Sequence, residues 1–333
     1  MGLWERYGGV MGALWEGYGS AMGRLWEHTP DSTVLTSTAA LAPQAFNKFC
    51  QPPGGEAAVA DDYCESEGTD RGTYELPAGQ QRLVLALRRA APTRPLVGLL
   101  VHGGTFAFGE GVLDALDAVL DAWQPGVGGA AAVAGALFGD FSPAGRTATT
   151  WYASGAQLPP PGQMSLYASG GITYRHHTGN VTFPFGYGLS YSRFEYSRLR
   201  VNVTAAAPCE PIGVVVDVSN VGPVAGDEVV QLYVKTPEAT VPAPRVRLAS
   251  FARVAIDPGR TTTVHLSVDA KARAVMSAAG AASTGDAIFA ASSELEVEPG
   301  RLDLYVGGGQ PDFFSRGLEA SVAISSSSKL LAC

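Results

Sequence analysis

Two carboxylates, Glu65 and Glu67, flank Ser66 in the stretch Cys64-Glu65-Ser66-Glu67-Gly68-Thr69-Asp70-Arg71. No other acidic cluster in the chain is spaced so well for chemistry. Gly68 lets the backbone turn sharply, and Asp70 and Arg71 pair to hold the loop. A loop that precedes an apolar helix is a usual address for a functional carboxylate, and Glu65 and Glu67 are the candidate catalytic residues. The competing reading is a solvated acidic loop with no chemical role.

The other polar clusters are weaker. His102-Gly103-Gly104 follows an apolar run and stands where open α/β sheets bind ligands. It lacks the lysine and the glycine spacing of a phosphate loop, and reads as a tight turn with a hydrogen-bonded histidine. His176-His177 has no third ligand nearby and reads as a surface pair. Cys50, Cys64, Cys209 and Cys333 form no CxxC motif, which argues against a zinc site. A Cys50–Cys64 bond is open in an oxidising compartment, but spacing does not decide it. Asn180-Val181-Thr182 and Asn202-Val203-Thr204 are acceptor triplets that fit a secreted protein. Nothing in the residues calls for a metal or an organic cofactor.

Composition bounds the possible partners. The chain has 333 residues, 46% hydrophobic and 16% charged, with a net charge of −8. That supports cores for about two domains and argues against a nucleic-acid partner. No apolar run has the length of a membrane span. No basic segment followed by an apolar one marks a signal peptide at the N-terminus.

The elements that must position the candidates follow in order. Residues 1–30 hold a low-complexity repeat, with Leu3-Trp4-Glu5, Leu14-Trp15-Glu16 and Leu25-Trp26-Glu27 recurring every 11 residues. Residues 31–62 are rich in Ala, Pro, Gly and Thr and read as a linker or degenerate segment, with no strand leading into the acidic loop. From Gln80 to Ala91 the apolar spacing predicts a helix. Leu96–Val101 reads as a strand buried on both faces. Val112–Trp123 and Gly128–Phe138 read as two further helices, and Thr147–Tyr152 as a strand. This alternation predicts an α/β layer with parallel strands. The run Phe183-Pro184-Phe185-Gly186-Tyr187-Gly188-Leu189-Ser190-Tyr191 suits a rigid aromatic seam between domains. From 194 onward the pattern turns to β: Leu199–Val203, Gly213–Val218, Glu228–Val234, Val246–Ala255, Thr261–Val268 and Leu302–Val306, separated by turn signals, predict a β-sandwich. Ala270–Ser293 reads as an inserted loop.

The order of these motifs resembles the C-terminal half of glycoside hydrolase family 3 enzymes, most closely their β-xylosidase branch. The resemblance runs through Glu65–Arg71, Leu76-Pro77-Ala78-Gly79-Gln80-Gln81, Val101-His102-Gly103-Gly104 and Ala122-Trp123-Gln124-Pro125-Gly126. It continues through Leu137–Arg146, Met164-Ser165-Leu166, Thr173-Tyr174-Arg175, Phe183–Tyr191, Ala225–Val234 and Pro299-Gly300. It implies an α/β plus all-β chain. A partial, mostly parallel α/β sandwich would occupy 63–190, and a fibronectin type III-like β-sandwich 191–325.

The resemblance also implies a retaining glycosidase acting on terminal β-D-xylosyl bonds of xylan-derived oligosaccharides, outside the cell or in the cell wall. β-Glucosidase and α-L-arabinofuranosidase are the alternative activities. The general acid/base then falls on Glu65 or Glu67, with Glu65 favoured because it stands where the family motif begins. Complete members precede these domains with a barrel that holds the nucleophile and most of the sugar pocket. A barrel needs roughly 250 residues, and residues 1–60 have neither that length nor a strand–helix repeat. The chain alone is thus expected to be inactive and to depend on a barrel in the same or another polypeptide. A non-catalytic module that binds carbohydrate or a protein partner is the competing role.

Overall fold

The computed structural model describes the backbone of Thr33–Thr38 and residues 73–160, 162–167, 170–276, 294–313 and 316–333. The repeat at 1–30, the pair Cys50 and Cys64, and the whole of Glu65–Arg71 lie outside the described residues. Those that are described divide into two units. The second unit comprises Ser142–Thr150 and Leu158–Cys333; the first takes the residues up to Phe141 and Trp151–Gln157.

The first unit is built on three parallel strands in the order β1-β2-β3: β1 (Thr33–Thr38), β2 (Leu96–Val101) and β3 (Ala118–Asp121). As expected, β2 is central and apolar, with Leu96, Leu99 and Leu100 buried. Gly98 interrupts its run because a Cβ there would meet Leu116 Cδ1 at 3.0 Å. Helix α1 (Ala78–Ala90) ends on Arg88 and Arg89, where cations suit the helix dipole. Helix α2 (Gly129–Phe138) stops at Gly139, whose φ of 80° gives the left-handed cap that glycine adopts without strain.

Three expectations for this unit are corrected. Thr33–Thr38 is a strand inside the stretch read as linker, in register Thr33↔Leu96 through Thr38↔Val101. Its sequence TVLTST is mostly β-branched, which suits a strand. The helix expected over Val112–Trp123 is a turn followed by β3. Val112, Ala115 and Leu116 are buried at helical spacing, but the free edge of β2 recruits Ala118–Asp121 as a pairing partner. Asp117 fixes the switch point. Its N–H donates to Leu96 O at 2.8 Å, and its carboxylate accepts the Leu96 N–H and an Arg88 N–H. The strand expected at Thr147–Tyr152 is confined to β4 (Trp151–Tyr152).

The second unit is a β-sandwich. One sheet has the order β10-β9-β14-β15-β7 and the other β11-β8-β6. Their strands are β6 (Phe194–Val201), β7 (Ala205–Ala206), β8 (Ile212–Asn220), β9 (Gly226–Lys235), β10 (Arg247–Ile256), β11 (Thr261–Val268), β14 (Gly300–Gly307) and β15 (Leu318–Ile324). A small third sheet is made of β12 (Val275–Met276), β13 (Leu295–Val297) and β16 (Ser328–Lys329). Alternation at period two puts Ile212, Val214, Val216 and Val218 of β8 into one core with Val230 and Leu232 of β9 and Leu302, Leu304 and Val306 of β14. The segment expected to be one inserted loop from Ala270 opens with a short helix, α4 (Ala270–Arg273), and then β12.

A helical turn, α3 (Thr173–His176), and β5 (Val181–Phe183) precede the sandwich strands. Two stacked ring pairs lie along the aromatic run. Phe185 stacks on Tyr174 at 4.1 Å beside Tyr233 and Tyr305, and Phe183 stacks on Tyr187 at 5.4 Å. His176 and His177 are not a surface pair, because both are buried. The His177 ring bonds Gly171 O at 3.0 Å, and the His176 ring meets Tyr167 edge-on at 4.4 Å.

Cys209 and Cys333 form a disulfide that closes a separation of 124 residues. Arg273 grips the turn that carries Cys209, with Nη2 donating to the carbonyls of Ala207, Pro208 and Glu210.

Two stability outcomes follow. Opening the disulfide by Cys209→Ser costs about 3–5 kcal/mol by loop-closure entropy. The midpoint of the second unit's thermal transition, followed by calorimetry, then falls by roughly 10 °C. Burial first, then Arg175 and Arg247, hold the His176 pKa below its ordinary 6.5. The unfolded chain then binds the proton more readily than the folded one. Stability is complete above pH 6.5 and declines as pH falls through the folded-state pKa. His176→Phe, with melting recorded across that range, removes this part of the acid-side loss.

Candidate functional site

The segment that follows Glu65–Arg71 in sequence is held in the first unit at Tyr74, Glu75 and Leu76. Glu75 forms a parallel bridge with Ala107. The Leu76 N–H donates to Ala107 O at 2.7 Å, and the Ala107 N–H donates to Tyr74 O at 3.0 Å. The Tyr74 hydroxyl donates to Thr105 Oγ1 at 2.9 Å and accepts the Tyr152 N–H at 3.3 Å. The Glu75 carboxylate accepts the Gly155 N–H at 2.8 Å and the Ser154 hydroxyl at 3.3 Å. Backbone and side chain together thus fix Tyr74–Leu76 against Thr105–Ala107 and Tyr152–Gly155. Glu65 and Glu67 themselves lie outside the described residues, as do Asp70 and Arg71.

This anchorage stands beside the carboxyl end of the parallel sheet. His102 follows β2 there and is 0% exposed. It is the hydrogen-bonded histidine of a turn, as its sequence context suggested. Its Nε2 bonds Asp121 Oδ1 at 2.8 Å, which joins the ends of β2 and β3. Phe106, Trp123 and Trp151 wall the imidazole at centroid distances of 5.5, 4.8 and 5.2 Å. Among the described residues, His102 Nδ1 has no hydrogen-bond partner. Among the described residues no hydroxyl or thiol is bonded to the ring, and the His102–Asp121 pair ties the two strand ends together. Among the described residues, no three His, Cys, Asp or Glu side chains gather as metal ligands.

The second unit contains a buried ionic network that the sequence reading left without a role. Arg146 Nη2 donates to Glu228 Oε2 at 2.8 Å, with side chains 9% and 4% exposed. The Tyr196 hydroxyl donates to Glu228 Oε1 at 2.6 Å. Burial pushes the Glu228 carboxyl up, while Arg146 and the Tyr196 hydrogen bond pull it down. Burial and the Glu228 charge push the Tyr196 phenol well above its usual range. Both Arg146 and Glu228 lie in motif stretches of the sequence. The overlooked signal was a carboxylate at the start of the apolar run Val229-Val230-Gln231-Leu232, where an inward charge requires a partner.

Residues 52–191 match the glycosyl hydrolase family 3 C-terminal domain. Residues 228–310 match the fibronectin type III-like domain. The chain carries a family 3 glycosyl hydrolase C-terminal domain and a fibronectin type III-like domain. The α/β architecture followed by a β-sandwich is therefore as the resemblance implied.

Among the relatives of this chain, the thermostable beta-glucosidase B of Acetivibrio thermocellus is 35% identical over 226 residues, or 65% of this chain and 29% of that protein. The xylan 1,4-beta-xylosidase of Xylanibacter ruminicola is 35% identical over 200 residues, or 60% of this chain and 22% of that protein. The crystal structure of a β-glucosidase from Streptomyces venezuelae in complex with D-glucose superposes with a TM-score of 0.67 at 26% identity. That match covers 88% of this chain and 34% of the other. The chain spans less than a third of the length of these two curated relatives. β-Glucosidases and β-xylosidases match equally well, so similarity fixes the family domain and not the sugar.

A double-mutant cycle checks the buried network. Arg146→Met leaves Glu228 buried without its cation and destabilises the second unit by about 3 kcal/mol. The same change costs less in a Glu228→Gln background, and denaturant melts of the four proteins read the difference.

Proposed function

We propose that these residues are the acid/base part of a retaining β-glycosidase. In this reading it releases terminal β-D-xylosyl residues from xylan-derived oligosaccharides. Glu65 is the general acid/base, with Glu67 as the neighbouring carboxylate that keeps it protonated. The observation that carries the reading is the family 3 C-terminal match over 52–191, which contains the acidic loop and its anchorage at Tyr74–Leu76.

A retaining mechanism needs a second carboxyl group about 5–5.5 Å from the first to act as nucleophile. That group and most of the sugar pocket come from outside these residues, on a barrel in the same or another polypeptide. The acid/base then gives its proton to the departing alcohol, and later takes one from the water that releases the sugar. The xyloside preference rests mainly on the resemblance over Leu166–Tyr191. The equal match to a β-glucosidase makes a glucoside the alternative substrate. The Cys209–Cys333 bond supports a place outside the cytoplasm, extracellular or in a cell wall.

The purified 333-residue chain is expected to show no turnover of aryl β-xylosides. Turnover by this chain that Glu65→Gln abolishes would refute the need for an outside nucleophile. In the native polypeptide, Glu65→Gln should lower kcat/KM by about 10²–10⁴-fold on glycosides whose alcohol is a poor leaving group. Side-by-side rates on aryl β-xyloside and aryl β-glucoside decide the sugar.

A further inference from the structure

Asn202 stands in the triplet Asn202-Val203-Thr204, in the turn between β6 and β7. It pairs twice with Gly213 in β8. Its backbone N–H donates to Gly213 O at 3.0 Å, and its side-chain Oδ1 accepts the Gly213 N–H at 2.8 Å. An N–H can only donate, so the amide atom engaged with Gly213 is the oxygen, and the nitrogen is the atom left over. Gly213 brings no side chain to cover that nitrogen; a Cβ there would meet the Asn202 amide carbon at 3.4 Å. Asn202 and Thr204 are both exposed, while Val203 between them packs against the sandwich core and holds the turn in place. The Cys209–Cys333 disulfide is an independent mark of an oxidising compartment, where protein N-glycosylation takes place. The other triplet differs, since Thr182 lies half-buried inside β5 behind buried Val181.

We propose that Asn202 is an N-glycan acceptor, modified by transfer of an oligosaccharide from a polyprenyl-pyrophosphate donor. In that step Nδ2 forms a bond to the anomeric carbon of the first sugar. The bond from that carbon to the phosphate oxygen breaks, and the pyrophosphate leaves on the lipid with the electron pair. One amide proton passes to a base of the transferase. The Thr204 hydroxyl completes the acceptor triplet. The glycan projects from an exposed turn, and the Oδ1 bond to Gly213 is retained.

The test is mass spectrometry of the native polypeptide from its source, before and after peptide-N-glycosidase in heavy-oxygen water. The expected result is loss of one oligosaccharide's mass, with Asn202 converted to a heavy-oxygen-labelled aspartate. Thr204→Ala should arrive without the sugar, and Thr204→Ser should keep it. Unlabelled Asn202 in the wild-type protein, label confined to Asn180, or a glycan that persists on Asn202 in Thr204→Ala overturns the proposal. The wild-type mapping decides by itself if the alanine variant does not fold.

Discussion

A carboxylate buried in a sandwich core must be satisfied on both oxygens, and Glu228 is satisfied by Arg146 on one and Tyr196 on the other. Isolated in the interior, that charge would cost several kcal/mol. The position of Arg146 is therefore dictated by the strand that bears Glu228. Around it the segment Ser142–Thr150 is tied down by matching bonds. Ser142 Oγ meets Ser190 Oγ at 2.8 Å and accepts the Tyr191 N–H at 2.9 Å. The Thr147 N–H donates to Tyr187 O, and Thr147 O accepts the Gly186 N–H, both at 2.8 Å. The same strand, β9, contributes Val230 and Leu232 to the core. One strand thus sets the hydrophobic centre of the second unit and the course of the segment strapped across it.

The first unit depends on a different constraint. A short parallel strand, β2, needs partners on both edges, and the chain supplies them from Thr33–Thr38 and Ala118–Asp121. At its carboxyl end the His102–Asp121 bond and the surrounding aromatic rings make a stiff platform. The bridge at Glu75 and Ala107 ties the residues that follow Glu65–Arg71 in sequence to the same unit. A general acid is effective only when it is held in register with its substrate, so under the proposed acid/base role this anchorage is the part of the described structure that matters most.

Much of this was legible in the residues, because the strong signals were local. The apolar run Leu96–Val101 and the alternation in β8 and β9 impose their periods regardless of context. The turn at Asp117 was not legible, since Val112–Leu116 has helical spacing and only the open edge of β2 converts the following residues to strand. His176 and His177 look like polar surface residues in sequence, yet Tyr167 and the Gly171 carbonyl enclose them. The Cys209–Cys333 bond spans 124 residues, and no spacing rule reaches that far. At the candidate site, residue types pointed to Glu65 and Glu67, whereas the Tyr74–Thr105 and Glu75–Gly155 contacts arise only when distant segments meet.

The most direct test of an acid/base role is how turnover depends on the leaving group. A general acid matters most when the departing alcohol is a poor leaving group. The quantity to measure is kcat/KM, which reports the step in which the phenol departs, for the native polypeptide and its Glu65→Gln variant on a series of aryl glycosides of rising phenol pKa. A variant that keeps substantial activity on the most acidic phenol, and loses it progressively as the phenol pKa rises, is the expected result. Equal loss across the whole series, or none at any member, would contradict the assignment of Glu65.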